Sequence, residues 1–392
     1  MANRYKEYCI GCGLCKSELQ ADMKKTESGF LKPSFNGSKE EQEFLQAVCP
    51  INGSRDNDRE QVSIWDKRKG VYAGWAADAA VRRQASSGGV LTAISIYMLE
   101  SGLVDAVIHV VADADNPAAT KCQVSTTKEQ IIAGCGSRYS ISCPWLSLSS
   151  CVEQGKKYAA IGKPCDIAAL RNLKNLDSRY ENIIYLLSFF CAGLPSAQAN
   201  DKLLKELGCG MGNCVSLTYR GNGWPGYATA VDGEGKTHQM EYSKAWGGIL
   251  GRDVHPYCRL CIDGIGVAAD ISCGDGWYMT EDGREPDFTE REGRNVVFTR
   301  TDAGEDLYQR AVAANVICSE IWEDMGQLRI IQKYQYTRRA TMSAKVKAYK
   351  LFGRTVPKYD KKVLREYAKG ISVKEKLRVF LGTGKRILQK KV

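Results

Sequence analysis

The chain has 392 residues, of which 44% are hydrophobic and 26% charged, with a formal net charge of +10. That length suits two or three domains with a sizeable core, and no run approaches the ~18 uncharged apolar residues of a membrane-spanning helix. The surplus charge is local: residues 338–392 hold 18 Lys and Arg against Asp360, Glu366 and Glu375, so the body is mildly acidic and does not read as a nucleic-acid-binding domain.

The first residues, Met1 to Glu7, show no apolar signal region. A cytoplasmic setting is therefore expected, with the inner membrane surface as the alternative if the basic end docks there. Thiols stay reduced in the cytoplasm, so its clustered cysteines serve metals or redox chemistry more often than disulfides. There are sixteen cysteines, and their spacing separates ligand-like sets from buried singles.

Cys9, Cys12 and Cys15 have the bacterial ferredoxin spacing for three corners of a cubane cluster. Gly11 and Gly13 let the chain wrap closely, and Cys49 before Pro50 is the expected fourth corner. A zinc site and unliganded cysteines are the competing readings, although a tetrahedral ion favours two separated pairs.

Strands are expected near Val62–Trp65 and Val71–Trp75. Ser86, Ser87, Gly88 and Gly89 then open a helix from Val90 to Leu99. Small hydroxyls and glycines at a helix start suit a phosphate, and a plain serine cap with a glycine packing contact is the alternative. Leu103 to Val111 reads as a buried strand, and Lys128 to Gly134 as a short helix. In the following loop, Ser137, Arg138 and Tyr139 offer a cation for an anion and a ring for stacking. A solvated loop is the alternative, and the residues alone favour it.

Tyr158–Ile161 and Ile183–Phe190 read as parallel strands, each followed by a helix. Cys165 and Cys191 then fall just past their carboxyl ends, where open α/β sheets collect ligands. Val215–Tyr219, Tyr227–Val231 and His238–Tyr242 read as antiparallel strands. Between the first two, Arg220 to Gly226 is a glycine-rich loop with a tryptophan. It could cover a planar ligand or be an exposed hairpin loop.

Cys258 and Cys261 need two partners, and Cys165 with Cys191 are proposed to complete a second cubane site. Cys273 competes for one corner, and a redox dithiol or zinc pair competes with the whole assignment. Residues 327–392 read as basic and largely helical. Val373, Leu377, Phe380 and Leu381 share one face, which suits an anionic bilayer or an acidic partner. Packing back on the acidic body is the alternative. Neither a G-x-G-x-x-G fingerprint at a βαβ unit nor a P-loop is present. His109 lies in an apolar strand and reads as satisfied core.

These stretches resemble the family of the beta subunit of coenzyme F420-reducing hydrogenase and dehydrogenase, which includes chlorophyll-pathway reductases. The matching residues are Ser87-Gly88-Gly89, Gly136 to Tyr139, Gly162 to Arg171, Phe190 to Ser196, Cys258-x2-Cys261-x-Asp263, Ala269 to Ser272 and Gly274-Asp275. The resemblance covers roughly residues 70–300. Lys163, Asp166 and Gly276-Trp277-Tyr278 depart from the family pattern.

The resemblance implies an oxidoreductase of mixed α/β fold that carries FAD and [4Fe–4S] clusters. FAD would be held by Ser86, Ser87, Gly88, Gly89, Ser137, Arg138, Tyr139, Lys163 and Asp275. The resemblance favours a cluster at Cys165, Cys191, Cys258 and Cys261, and spacing alone assigns a second to Cys9, Cys12, Cys15 and Cys49, outside the shared core. Electrons would pass, in either direction, between a ferredoxin-type donor or partner redox subunit and a small organic acceptor, a deazaflavin among the candidates. No acid–base residue stands out. The expected division is a ferredoxin-like segment (1–60), a flavin and iron–sulfur core (61–325) and a basic helical tail (326–392). The rival is a non-catalytic electron-transfer adaptor docking on a partner enzyme, for which membrane-associated polysaccharide synthesis is one setting.

Overall fold

The computed structural model describes residue 5, residues 7–52 and residues 63–389. In the N-terminal segment, α1 (Leu14–Leu19) and α2 (Lys39–Val48) flank a hairpin of β1 (Met23–Lys25) and β2 (Leu31–Pro33). Ser38 caps α2 by accepting from the Glu41 N–H, and the helix ends at Cys49. Pro50 has no N–H with which to continue it.

The core follows as β3 (Gly70–Ala76), α3 (Ala79–Gln84), α4 (Val90–Glu100), β4 (Ala106–Ala112), β5 (Thr120–Ser125) and α5 (Lys128–Ala133). Next come β6 (Tyr158–Gly162), α6 (Pro164–Lys174), β7 (Ile183–Phe189) and α7 (Ala197–Leu207). A separate three-stranded antiparallel sheet, β8 (Cys214–Thr218), β9 (Tyr227–Asp232) and β10 (Thr237–Glu241), interrupts the core. The chain returns through α8 (Pro256–Arg259) to β11 (Ile271–Asp275), then a small hairpin of β12 (Tyr278–Met279) and β13 (Pro286–Asp287). It continues with β14 (Asn295–Thr299), α9 (Asp302–Ala313) and β15 (Ile317–Ile321). Five helices end it: α10 (Met325–Ile331), α11 (Lys333–Ala340), α12 (Met342–Leu351), α13 (Lys361–Tyr367) and α14 (Val373–Leu388).

The fold is mixed α/β. Its eight-stranded sheet has the order β15-β3-β14-β11-β7-β6-β4-β5. The four central strands, β11, β7, β6 and β4, are parallel, and antiparallel strands flank them. Parallel strands are covered on both faces, and β7 follows that rule. Tyr185 and Leu187 pack with Val90 and Ile94 of α4 and Leu307 of α9, while Leu186 packs with Ile167 and Leu170 of α6.

Two readings of the sequence change. Val62 lies outside the described residues, and Ile64 and Trp65 form a turn rather than a strand. Trp65 is buried with Phe298 and Tyr336 instead of pairing in a sheet. Conversely, β5, β11 and β15 join the main sheet without having stood out in sequence. β15 is an edge strand with a largely exposed pattern, so it lacks an apolar run.

Candidate functional site

The strands β6 and β7 are parallel neighbours, and the residues after them lead into turns at one edge of the sheet. Cys165 lies in the first turn of α6, which begins at Pro164. Proline suits that position because its missing N–H would have no partner there. Cys191 follows β7, and its N–H donates to the Gly264 carbonyl at 2.8 Å. That bond draws the segment after Cys258 and Cys261 against the β7 end. All four cysteines line one cavity, together with Ile10, Lys163, Tyr257, Asp263 and Arg338. About 340 Å³ around it is free of protein atoms, part of it open to solvent.

A second cavity is lined by Cys9, Cys12, Cys15 and Cys49, with about 400 Å³ free of atoms. The remaining wall is apolar, including Ile10, Leu14, Phe35, Phe44, Leu45 and Val48. Ile10 lines both cavities, so the two adjoin at that residue.

Among the described residues, no three His, Cys, Asp or Glu side chains are gathered closely enough to hold one metal ion. Burial raises all eight thiols; Cys49 and Cys258 rise to about 12 and Cys261 to about 11. Such thiols stay protonated until a metal takes them as thiolates. Cys273 is placed apart from both cavities. It lies in β11 within the apolar core that includes Val297, Leu307 and Tyr308.

The buried charges around the Cys165 cavity are informative. Lys163 Nζ lies 2.7 Å from Asp166 Oδ2 and donates to Ser142 Oγ at 2.6 Å. Arg339 pairs with Asp66, and Arg300 and Arg339 also face Asp263. Arg338 is 4% exposed. It donates to the Cys191 carbonyl at 3.0 Å and bonds the Gln335 side chain, and its Nε has no partner. Among the described residues, no carboxylate pairs with it. An uncompensated buried cation costs several kcal/mol, so the cavity suits an anionic occupant. Four thiolates around an iron–sulfur core meet that requirement.

The sequence reading took this segment as part of a basic helical tail and missed that Arg338 lies at the cysteine cavity. Gln335 Nε2 donates to the Cys191 carbonyl at 3.1 Å, and the Tyr334 hydroxyl donates to the Ala192 carbonyl at 2.9 Å. Three residues of α11 thus hold the loop after β7. The spacing Tyr334, Gln335, Arg338 lies on one helical face, but the basic composition of the segment masked it.

The residues expected to hold FAD converge from three loops. The Ser137 N–H donates to Ser86 Oγ at 2.6 Å, and Ser87 Oγ donates to the Arg294 carbonyl at 2.8 Å. A Cβ on Gly88 would meet the Asn295 N and the Gly74 carbonyl, and Gly89 takes φ +78° as it caps α4. The Val90 N–H already donates to Asn295 Oδ1 at 3.3 Å. Gly136 abuts the Arg220 carbonyl, which brings in the third loop.

Tyr139 contacts Trp246 at 4.7 Å and Tyr219 at 5.5 Å between ring centroids. Arg220 holds Asp275 through two bonds at 3.0 and 3.1 Å and lies over the Tyr242 ring at 4.2 Å. Trp224 Nε1 also donates to Asp275, and Trp224 stacks on Trp277 at 4.2 Å. Arg138 donates to the Leu217 and Pro117 carbonyls, and its buried Nε has no partner. Lys163 belongs to the cysteine cavity rather than to this aromatic region. Rings, glycine loops and an orphaned guanidinium atom fit a flat heteroaromatic group with an anionic tail.

Residues 71–149 match the family model described as the N-terminal part of the coenzyme F420 hydrogenase/dehydrogenase beta subunit, and residues 155–324 match the model for its C-terminal part. The chain is 26% identical over 260 residues to the coenzyme F420 hydrogenase subunit beta of Methanosarcina barkeri, covering 61% of this chain and 77% of that protein. It is 25% identical over 299 residues to the subunit of the same name from Methanococcus voltae, covering 72% and 95%. With the chloroplastic 7-hydroxymethyl chlorophyll a reductase of Oryza sativa it shares 26% identity over 204 residues, covering 51% and 40%. A chain of the F420-reducing [NiFe] hydrogenase complex from Methanosarcina barkeri has the same fold. The TM-score is 0.57 at 22% identity, over 76% of this chain and 97% of that one.

Proposed function

The chain belongs to the coenzyme F420 hydrogenase/dehydrogenase beta-subunit family, and from that we propose that it is an FAD- and [4Fe–4S]-dependent oxidoreductase. It would exchange electrons between a ferredoxin-type donor or partner redox subunit and a small organic acceptor, a deazaflavin among the candidates. The observation that carries this reading is the pair of four-cysteine cavities that share Ile10 in their linings, one of them beside the unpaired Arg338.

Cys9, Cys12, Cys15 and Cys49 would hold one cluster, and Cys165, Cys191, Cys258 and Cys261 the other. The three loops with Ser86 to Gly89, Ser137 to Tyr139 and Asp275 would hold FAD. When bound, the clusters exchange single electrons and the flavin one or two, which suits a converter between single-electron and two-electron partners. The chain's own residues supply the setting. Apolar side chains line the first cysteine set, Arg338 offsets negative charge at the second, and Arg220 fixes Asp275 and the rings around it. The segment before residue 61 and the helices after residue 325 add the first cysteine set and the α11 wall to the family core.

Relatives named as beta subunits favour a partner redox subunit over a chain working alone. A non-catalytic adaptor is therefore the second reading. The exposed apolar face of α14, which carries Leu377 and Leu381, supports it by offering a docking element. Anaerobic purification with iron, sulfide and flavin measured on one sample tests the first reading. About eight iron, eight sulfide and one FAD per chain are expected, and Cys49→Ala and Cys261→Ala should each remove about half the iron. Colourless protein holding zinc and no flavin would overturn the proposal. Reduction of an organic acceptor by the purified chain alone would remove the adaptor reading.

A further inference from the structure

The two cysteine cavities differ in charge. Among the described residues, the Cys9/Cys12/Cys15/Cys49 cavity has no charged side chain in its lining, although Lys32 faces Cys9 and Glu41 faces Cys15 from outside it, whereas Lys163, Asp263 and Arg338 all line the other. Backbone N–H groups reach cysteine sulfurs at both, for example from Leu194 to Cys258 and from Gly11 to Cys9, so hydrogen bonding does not separate them. Around the second cavity, Lys163 pairs with Asp166 and Arg339 with Asp66, while Arg300 faces Asp66 and Asp263 and bonds backbone carbonyls. Of the two cations that line the cavity, Lys163 has Asp166, and among the described residues no carboxylate pairs with Arg338.

The position of Arg338 is built rather than incidental. A Cβ on Gly264 would fall on its guanidinium, so glycine there leaves the space Arg338 fills. The Cys191 carbonyl and the Gln335 side chain hold the group in place, and Tyr334 lies beneath it at 5.2 Å.

We infer that Arg338 makes the Cys165/Cys191/Cys258/Cys261 site the more easily reduced of the two, so that an electron arriving at the N-terminal site moves inward past Ile10. This rests on the two-cluster reading above. Each transfer oxidises one cluster by one electron and reduces the other by one, with no bond made or broken. Reduction adds negative charge. A fixed buried cation stabilises that charge, and an apolar wall does not.

The test is a dithionite titration of the anaerobically purified full chain, followed by EPR, on wild type, Arg338→Gln and Arg338→Lys. Cys49→Ala identifies which signal belongs to the N-terminal site. In wild type, the second-site signal should appear at the higher potential. Arg338→Gln should move it to lower potential and leave the N-terminal signal in place, while Arg338→Lys should stay near wild type. Loss of second-site iron in Arg338→Gln but not in Arg338→Lys would equally support a charge role. Equal or inverted potentials in wild type would overturn the inference. So would an unshifted signal in an iron-replete Arg338→Gln, or the same loss in both variants. Wild type without two clusters would instead overturn the reading on which it rests.

Discussion

His109 shows how one buried side chain sets a condition on the whole fold. It lies in β4, and its Nε2 is 2.7 Å from Ser125 Oγ on the neighbouring β5. Burial lowers its pKa to about 4. The unfolded chain binds a proton near pH 6.5 that the folded one refuses, so this group's contribution is lost as pH falls from about 6.5 towards 4. The loss between pH 7 and pH 5 is ~2 kcal/mol. Urea unfolding at those two pH values should show His109→Gln losing less stability than wild type. Buried His255, lowered to about 3, pushes the same way, so the variant should flatten the slope without abolishing it. An unchanged slope would show that His109 is protonated in the folded chain. The neutral character of His109 was legible from its apolar strand. Its hydroxyl partner was not, because β5 carries no alternating pattern.

At the scale of elements, the helices α11 and α13 are tied to the turn before β3 by one buried group. Arg339 is 1% exposed and bonds Asp66, the Tyr367 hydroxyl and the Ile262 carbonyl. The Tyr367 hydroxyl in turn donates to Asp66 at 2.6 Å. Burial alone would raise Asp66, yet Arg339 holds it below the usual carboxylate range. Arg339→Ala should cost about 3–5 kcal/mol, because it leaves Asp66 buried and unpaired. Thermal unfolding would measure this, and proteolysis should cut first beyond residue 340. The double change Arg339→Met with Asp66→Leu should recover much of the loss. No local pattern hinted at this tie, since Asp66 and Arg339 are 273 positions apart.

On the scale of the molecule, the final helix stands out from the rest of the C-terminal segment. Only Thr383, Gly384 and Ile387 of α14 are buried, while Val373 is 80%, Leu377 56%, Leu381 59% and Leu388 71% exposed. Lys374, Arg378 and Lys385 flank that apolar ridge at helical spacing. The charge pattern complements an anionic bilayer surface. The full chain should therefore float with phosphatidylglycerol vesicles and not with neutral phosphatidylcholine. Binding should weaken at 1 M salt, where the Debye length is about 3 Å. Leu377→Asp with Leu381→Asp should abolish it; flotation that ignores these changes would place vesicle binding elsewhere, and wild type that does not float would leave the ridge to a protein partner. No helix among the described residues is long and apolar enough to cross a membrane.

Local pattern determined a good part of this protein. Cysteine spacing marked Cys9, Cys12, Cys15, Cys258 and Cys261, and apolar runs placed β6 and β7 so that Cys165 and Cys191 fell at their carboxyl ends. These features repeat over a few residues, and a linear sequence carries such distances. Tertiary structure decided what depends on distant residues meeting. It placed Cys273 in the core, set the two cavities side by side at Ile10, paired Lys163 with Asp166 at a cysteine cavity, and brought Arg338 from a basic segment to that cavity. Net charge could not reveal Arg338, because composition records how many cations a segment holds and not which of them loses water.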